Sequence, residues 1–302
     1  MAQTITSGEV QQFLSSVFNP LAEQVIWIAS GWFSQVFSFK VRETDYIIRL
    51  NPYEEDFQKD AFAYQHFARP GLPVPRILQI GQFDRRYCFA ISEHCPGKAL
   101  ADFEDDIVRQ MVPALFETLD TIHRVDVSGF EGWGLRGGDG QGLFGSWPEY
   151  LLSLYNQKFI FDWQALARNT FLERDVFESA FMVFQNLISY CSSEKSLLHG
   201  DFGPHNLVSD GKVITGVLDW ADSRLGDYLY DVAYLDYSSE DIFYIELWQQ
   251  HTARQGRNEP HFEERIMCYK LHNILNDLAI SAIQNKIGYY KRVKKRLHAM
   301  IK

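Results

Sequence analysis

The stretch from Leu207 to Leu218 constrains this chain more than any other. Apolar residues alternate on both sides of Asp210-Gly211, and Asp-Gly between two such runs is a strong hairpin signal. The spacing predicts strands over Leu207–Ser209 and Val213–Leu218, with Leu197-Leu198 as a further extended piece just before them. Around this β insert the periodicity is helical, with candidates near 104–123, 147–156, 173–192, 240–252 and 261–285. The glycine-rich run Gly129–Gly145 reads as a long loop. Half of the chain is therefore expected to be helical and to carry one hairpin.

The other half has a different pattern. Val10, Phe13, Leu14, Val17 and Phe18 recur at helical spacing over residues 6–18. Strand-like stretches follow at Val25–Ala29, Gln35–Val41 and Tyr46–Leu50, the last two joined by a Glu-Thr-Asp turn. An amphipathic helix is expected over Phe57–Phe67 and ends before Leu72-Pro-Val-Pro75, because proline cannot continue a helix. Two more strands are predicted at Ile77–Phe83 and Tyr87–Ser92. This order describes an antiparallel sheet carrying one helix, and the character changes at Cys95-Pro-Gly97. The expectation is an α+β chain with two domains, residues 1–94 and 95–302. Its 302 residues and 46% apolar content are enough for two packed interiors.

Composition narrows the partners. With 29 Lys and Arg against 39 Asp and Glu the formal charge is −10, which repels nucleic acid and anionic membrane and favours cations. The basic run Lys291–Arg296 reads as the solvated face of a terminal helix. No apolar run approaches the roughly 20 residues that span a bilayer. The first residues lack the basic start and apolar core of a secretory signal. Cys88, Cys95, Cys191 and Cys268 show no metal-type spacing and are expected as free thiols in a reducing compartment. Together these features predict a cytoplasmic protein with no nucleic-acid and no membrane partner.

The chemistry concentrates in His199-Gly-Asp201-Phe-Gly-Pro-His-Asn206 and Val217-Leu-Asp219-Trp220. Phosphoryl transfer needs a group that orients the attacking hydroxyl and accepts its proton, and it needs oxygen ligands that hold Mg²⁺ against the phosphates. Mg²⁺ prefers carboxylate and amide oxygens and keeps several waters. Here a carboxylate, an amide five residues on and a second carboxylate thirteen beyond that surround one hairpin. Hairpin pairing can bring Asn206 and Asp219 side by side, where they can share a metal. Asp201 precedes the hairpin in its loop. His199 reads as a packing and hydrogen-bonding residue.

These motifs resemble the aminoglycoside phosphotransferase and choline kinase-like superfamily, which carries H-G-D-x-x-x-x-N followed by I-D-W or I-D-F. The likeness covers most of the chain. Phe37-Ser-Phe39, Tyr46-Ile-Ile-Arg49, Tyr64-Gln-His-Phe67, Leu72-Pro-Val-Pro75, Gly81-Gln-Phe83 and Gly226-Asp227 bring it nearest to the members that phosphorylate hygromycin-type substrates. The resemblance implies a two-lobed, protein-kinase-like fold, with a small sheet lobe for the nucleotide and a larger helical lobe for catalysis and the acceptor. It implies that Asp201 is the catalytic base and that Asn206 and Asp219 bind Mg²⁺. Asp227 and Asp231 are implied to support the fold.

On the nucleotide side the resemblance places Ser30, Gly31 and Ser34 in the phosphate-covering loop. One glycine departs from a fully glycine-rich loop, but short Gly, Ser and Asn loops serve the same purpose in this family. Arg49 stands where most relatives have a phosphate-binding lysine, and Asp60 stands where they have its glutamate partner. The hinge Ser92-Glu93-His94-Cys95 is expected to meet adenine through backbone groups, which makes Glu93 and Cys95 nucleotide-binding positions. Asp102, Glu104, Asp105, Asp106, Glu240, Asp241, Glu246, Glu259, Glu263 and Glu264 are candidates to line a cleft for a cationic sugar, or to be solvated helix faces.

The implied activity is ATP-dependent, Mg²⁺-assisted transfer of the γ-phosphate to a hydroxyl of a small cationic acceptor, an aminoglycoside or aminocyclitol. Choline, an amino alcohol or a sugar is the alternative acceptor, and a nucleotide-binding pseudoenzyme is a third reading. A protein kinase is disfavoured by H-G-D in place of H-R-D and L-D-W in place of D-F-G.

Overall fold

The structure is a computed structural model that describes residues 4–17, 22–31, 34–155, 161–239 and 241–301. The chain divides into two compact units. The first comprises residues 1–103, 138–140 and 205–221, and the second comprises 104–137, 141–204 and 222–302.

The first unit opens with α1 (Ser7–Val17) and then builds a five-stranded antiparallel sheet from β1 (Ala22–Ser30), β2 (Gln35–Val41), β3 (Thr44–Asn51), β4 (Ile77–Gln82) and β5 (Cys88–Glu93). Its spatial order is β1-β2-β3-β5-β4. Helix α2 (Glu54–Phe67) connects β3 to β4. The sheet's core is Phe37, Phe39, Ile48, Leu50, Phe89 and Ile91, closed from α1 by Val10 and Leu14. Strand alternation accounts for this: Phe37 and Phe39 on β2, and Ile48 and Leu50 on β3, fall two residues apart and point to one face. The expected turn after β2 shifts by one residue. Arg42 and Glu43 form it, and Arg42 takes a left-handed φ of 55°.

A second, three-stranded sheet belongs to the same unit. Here β6 (Lys98–Ala99) pairs with β10 (Leu207–Ser209), which pairs with β11 (Ile214–Val217). The Asp-Gly hairpin is thus present. The Asp210 carboxylate accepts from Lys212 N at 2.8 Å and Val213 N at 3.0 Å. Two proline carbonyls fasten the hairpin: Val217 N donates to Pro73 O at 2.7 Å, and Thr215 Oγ1 to Pro96 O at 2.6 Å. Gly97 is required for the first pairing. It has φ 110°, and a Cβ there would lie 1.9 Å from Ser209 O.

The second unit is mainly helical. It contains α3 (Asp105–His123), α4 (Trp147–Leu152), α5 (Trp163–Asn169), α6 (Arg174–Leu187), α7 (Leu229–Tyr237), α8 (Tyr244–Arg254), α9 (Phe262–Ile283) and α10 (Ile287–Met300). The stretch expected as a plain loop, 129–145, instead contributes β7 (Trp133–Arg136) and β8 (Gly142–Phe144). With β9 (Ser196–Leu198) and β12 (Arg224–Gly226) they form a sheet of order β8-β7-β12-β9. Glycine spacing masked these strands, since Gly132, Gly134 and Gly140 all have positive φ.

The unit is threaded by buried polar contacts. Asp227 is fully buried and accepts from Arg265 Nη2 at 2.5 Å and Nε at 2.8 Å, and from Tyr269 OH at 2.5 Å. All four cysteines are free thiols, and no helix of the described residues is long and apolar enough to cross a membrane.

Candidate active site

The loop between β9 and β10 places Asp201. Asp231, fully buried on α7, accepts His199 N on Oδ2 and Gly200 N on Oδ1, each at 2.8 Å. Its Oδ2 also meets His123 Nε2 at 3.2 Å. Two backbone amides on one carboxylate fix the loop's direction just before Asp201. Gly200 makes this geometry accessible: its φ is 83°, and a Cβ would lie 2.1 Å from Asp222 O. Asp201 N then donates to Nδ1 of the fully buried His199 at 3.3 Å, and Gly203 N closes a turn onto Asp201 O at 2.8 Å.

The Asp201 side chain is hydrogen-bonded by the phenol of Tyr234 on α7. Burial pushes the Tyr234 pKa up, and the Asp201 charge pushes it further in the same direction. The phenol therefore stays a neutral donor to the Asp201 side chain. Nearby on α9 lies Asp277, whose Oδ2 accepts from Tyr237 OH at 2.5 Å and Tyr289 OH at 2.6 Å. Burial raises the Asp277 pKa and the Asp201 charge adds to it, against the two phenols and Arg296. Neither Tyr234 nor Asp277 was singled out in the sequence. The usable signal for Tyr234 is its spacing: it follows Asp231 by three residues, one turn along the same helix face.

Asn206, Asp219, Arg49, Asp60, Ser30, Gly31, Ser34, Glu93 and Cys95 lie in the first unit. Asn206 ends a short 3₁₀ turn, Pro204–Asn206, and its carbonyl accepts Leu218 N at 2.8 Å. The hairpin thus puts the backbones of Asn206 and the residue before Asp219 in direct contact. Asp219 itself is left-handed, with φ 62°, a conformation uncommon outside glycine.

Arg49 on β3 makes an ion pair with Asp60 on α2. The carboxylate is nearly enclosed at 6% exposure, while the guanidinium keeps 19%. Burial opposes the Arg49 charge, but Asp60 and then Asp219 outweigh it and hold the pKa above the usual arginine value. Arg49, Asp60 and Asp219 therefore belong to one electrostatic neighbourhood.

Ser30 ends β1 and pairs with Gln35, and Gly31 N donates to Ser34 O at 2.9 Å across the tip of the turn. Trp32 and Phe33 of that loop lie outside the described residues, as does Glu240. Glu93 ends β5 with its N–H donated to Arg76 O at 3.0 Å. Cys95 packs on the hairpin: a Cβ on Gly216 would lie 2.5 Å from its Sγ. Burial, with help from Glu93, raises the Cys95 thiol to about 11, so it stays protonated. Among the acidic candidates, Glu259 is paired with Arg257 at 3.3 Å.

Asn206 and Asp219 offer the hard oxygen donors that Mg²⁺ takes. Among the described residues no three His, Cys, Asp or Glu side chains gather as a metal cage. An ion held here would complete its shell with phosphate oxygens and water, as Mg²⁺ commonly does.

Known proteins resemble this chain in sequence and fold. The sequence profile of the phosphotransferase enzyme family matches residues 25–263, and the chain belongs to that family. It is a small-molecule kinase. Hygromycin-B 4-O-kinase of Escherichia coli is 27% identical over 307 residues, covering 99% of this chain and 86% of that protein.

A thermostable mutant of aminoglycoside phosphotransferase APH(4)-Ia, crystallised with AMP-PNP and hygromycin B, superposes with a TM-score of 0.86 at 25% identity over 97% of both chains. The GDP complex of aminoglycoside 2'-phosphotransferase-IIIa matches with a TM-score of 0.70 at 15% identity over 98% of both. At that identity the likeness is one of fold. The family and the α+β, sheet-then-helix fold expected from the motifs are both borne out.

Proposed function

We propose that this enzyme transfers the γ-phosphate of ATP to a hydroxyl of an aminoglycoside or aminocyclitol, with hygromycin B the first acceptor to test. The observation that carries the chemistry is the convergence of Arg49, Asp60 and Asp219, which leaves a charged guanidinium beside a metal-type carboxylate. The acceptor class is supported by likeness to the hygromycin kinase along nearly the whole chain.

In this reading residues 1–94 carry the nucleotide, and residues 95–302 carry the base and the acceptor. Ser30, Gly31 and Ser34 contact the phosphates, Arg49 draws the α- and β-phosphates, and Glu93 and Cys95 meet adenine through their backbones. Asn206 and Asp219 hold Mg²⁺, which neutralises charge on the transferring phosphate. Asp201 orients the acceptor hydroxyl and takes its proton, held in place by Tyr234. A cationic acceptor is favoured by a second buried carboxylate, Asp277, within the field of Asp201. The enzyme works in the cytoplasm, where ATP is supplied, and modifying such an antibiotic would confer resistance.

ADP release measured with hygromycin B, other aminocyclitols, choline and amino alcohols tests the proposal. Turnover confined to aminocyclitols supports it. Turnover with choline or amino alcohols alone points to a metabolic kinase. Nucleotide binding without any turnover points to a pseudoenzyme.

A further inference from the structure

We propose that Asp60 has a second task besides pairing with Arg49: it is a positioning residue that holds the backbone around Asp219 in its metal-binding conformation. The inference rests on the phosphotransferase reading above. An ion pair with Arg49 engages one oxygen of Asp60, Oδ2. The other, Oδ1, accepts the backbone N–H of Trp220 at 2.7 Å. The carboxylate is 4% exposed as a residue, so both partners are met away from bulk water, where a charge-assisted hydrogen bond is strong.

The same helix grips this segment at two more points. Lys59 Nζ donates to Ala221 O at 3.3 Å, and the Phe67 ring lies 5.6 Å from the Trp220 ring. The Trp220 indole turns back onto Val217 O at 3.1 Å. Asp219 stands inside this clamp. The hydrogen bond from Leu218 N to Asn206 O lies on one side of it and the bond from Trp220 N to Asp60 on the other.

Its left-handed φ explains why a clamp is needed. A non-glycine residue in that region is strained and persists only when its surroundings over-determine it. Without the Asp60 contact, the hydrogen bond from Trp220 N is lost and the segment can relax toward ordinary backbone angles, carrying the Asp219 carboxylate out of place. Asp60 thus acts on the metal through Asp219, and this action is separable from its action on the nucleotide through Arg49.

The separation can be measured without turnover. Calorimetric titration with ADP alone and with Mn²⁺·ADP gives two dissociation constants, and their ratio isolates the metal's contribution. Asp60→Asn keeps an oxygen for Trp220 N but cannot ion-pair with Arg49. Arg49→Ala removes the other partner and leaves the Trp220 contact. Both should weaken ADP itself by about fivefold or more while keeping the ratio within about twofold of wild type. Asp60→Leu and Asp60→Ala lose both contacts, and the ratio should fall by about tenfold, the order expected for one buried hydrogen bond.

Equal ratios in the Asn and Leu variants would overturn the inference. A wild-type protein that bound neither ligand, or bound both equally, would overturn the phosphotransferase reading instead. Should neither apolar variant fold, amide exchange at Trp220 decides. Protection as in wild type is expected in Asp60→Asn and Arg49→Ala, and its loss in either would count against the inference.

Discussion

The two units hold their carboxylates in opposite ways. In the first, Asp60 and Asp219 are tied by charge and backbone: Asp60 faces a guanidinium and an amide, and Asp219 adds to the charge balance of Arg49. In the second, Asp201 and Asp277 are held by phenols, Tyr234 for the first and Tyr237 with Tyr289 for the second. A guanidinium holds a carboxylate by a charge-assisted pair, and a backbone amide fixes its direction. A phenol offers a weaker, neutral donor. The difference suits the proposed division of work, with firm ligands for metal and phosphate in one unit and proton-accepting or cation-receiving groups in the other.

The largest test of this contrast is Asp201→Asn. An amide cannot take the acceptor's proton, so kcat should fall by about 10²–10⁴-fold, while the dissociation constant for ATP stays within about twofold. Near-wild-type turnover would remove Asp201 from the mechanism. It would also leave the phenol-held carboxylates without a chemical role.

Next in size is the Arg49–Asp60 pair. Arg49→Lys should raise KM for ATP, because lysine is a point charge without the planar fork that can hold a carboxylate and a phosphate together. Asp60→Glu should crowd the arginine. The double variant should recover part of both losses, with a coupling energy of about 0.5–3 kcal/mol in a double-mutant cycle. Strictly additive losses would show that the two residues act independently. In the second unit, Tyr234→Phe removes only a neutral donor, so kcat should fall by about two- to tenfold. A larger loss there would erase the contrast between the units.

The two units also differed in legibility. Arg49, Asp60, Asn206 and Asp219 lie on or beside strands and a helix whose periodicity is plain, and each occupies a motif position. The hairpin was readable from one dipeptide. Helix α7 was not, because seven of its nine residues are buried. A helix buried on all sides shows no amphipathic stripe, so Tyr234 had no predicted element to sit on. Helix α9 was legible as a helix, but a buried Asp277 looks in sequence like any polar residue until Tyr237 and Tyr289 are seen to close on it. The β7–β8 pair escaped for a third reason, since its glycines read as turn and its strands are three or four residues long.

The smallest expected effect concerns Asp277 and its pH dependence. Burial and the Asp201 charge raise its folded-state pKa above the unfolded value, despite the two phenols. The folded state therefore holds this proton more tightly than the unfolded chain does. Stability from this group is intact below the unfolded pKa and is lost as pH rises through the raised folded one. Above the raised folded-state pKa, the ionised form of Asp277 is a cost to folding. Asp277→Asn keeps an oxygen for Tyr237 and Tyr289 but carries no charge. It should melt at a higher temperature than wild type at pH 7, and the gain should vanish as pH falls to about 4, where the wild-type carboxyl takes up its proton. The same variant should raise KM for a cationic acceptor and leave KM for ATP unchanged. A melting gain without a change in acceptor KM would make Asp277 a buried structural charge. Loss of acceptor affinity together with the gain would show stability given up for binding, as expected where a carboxylate is kept buried to receive a cation.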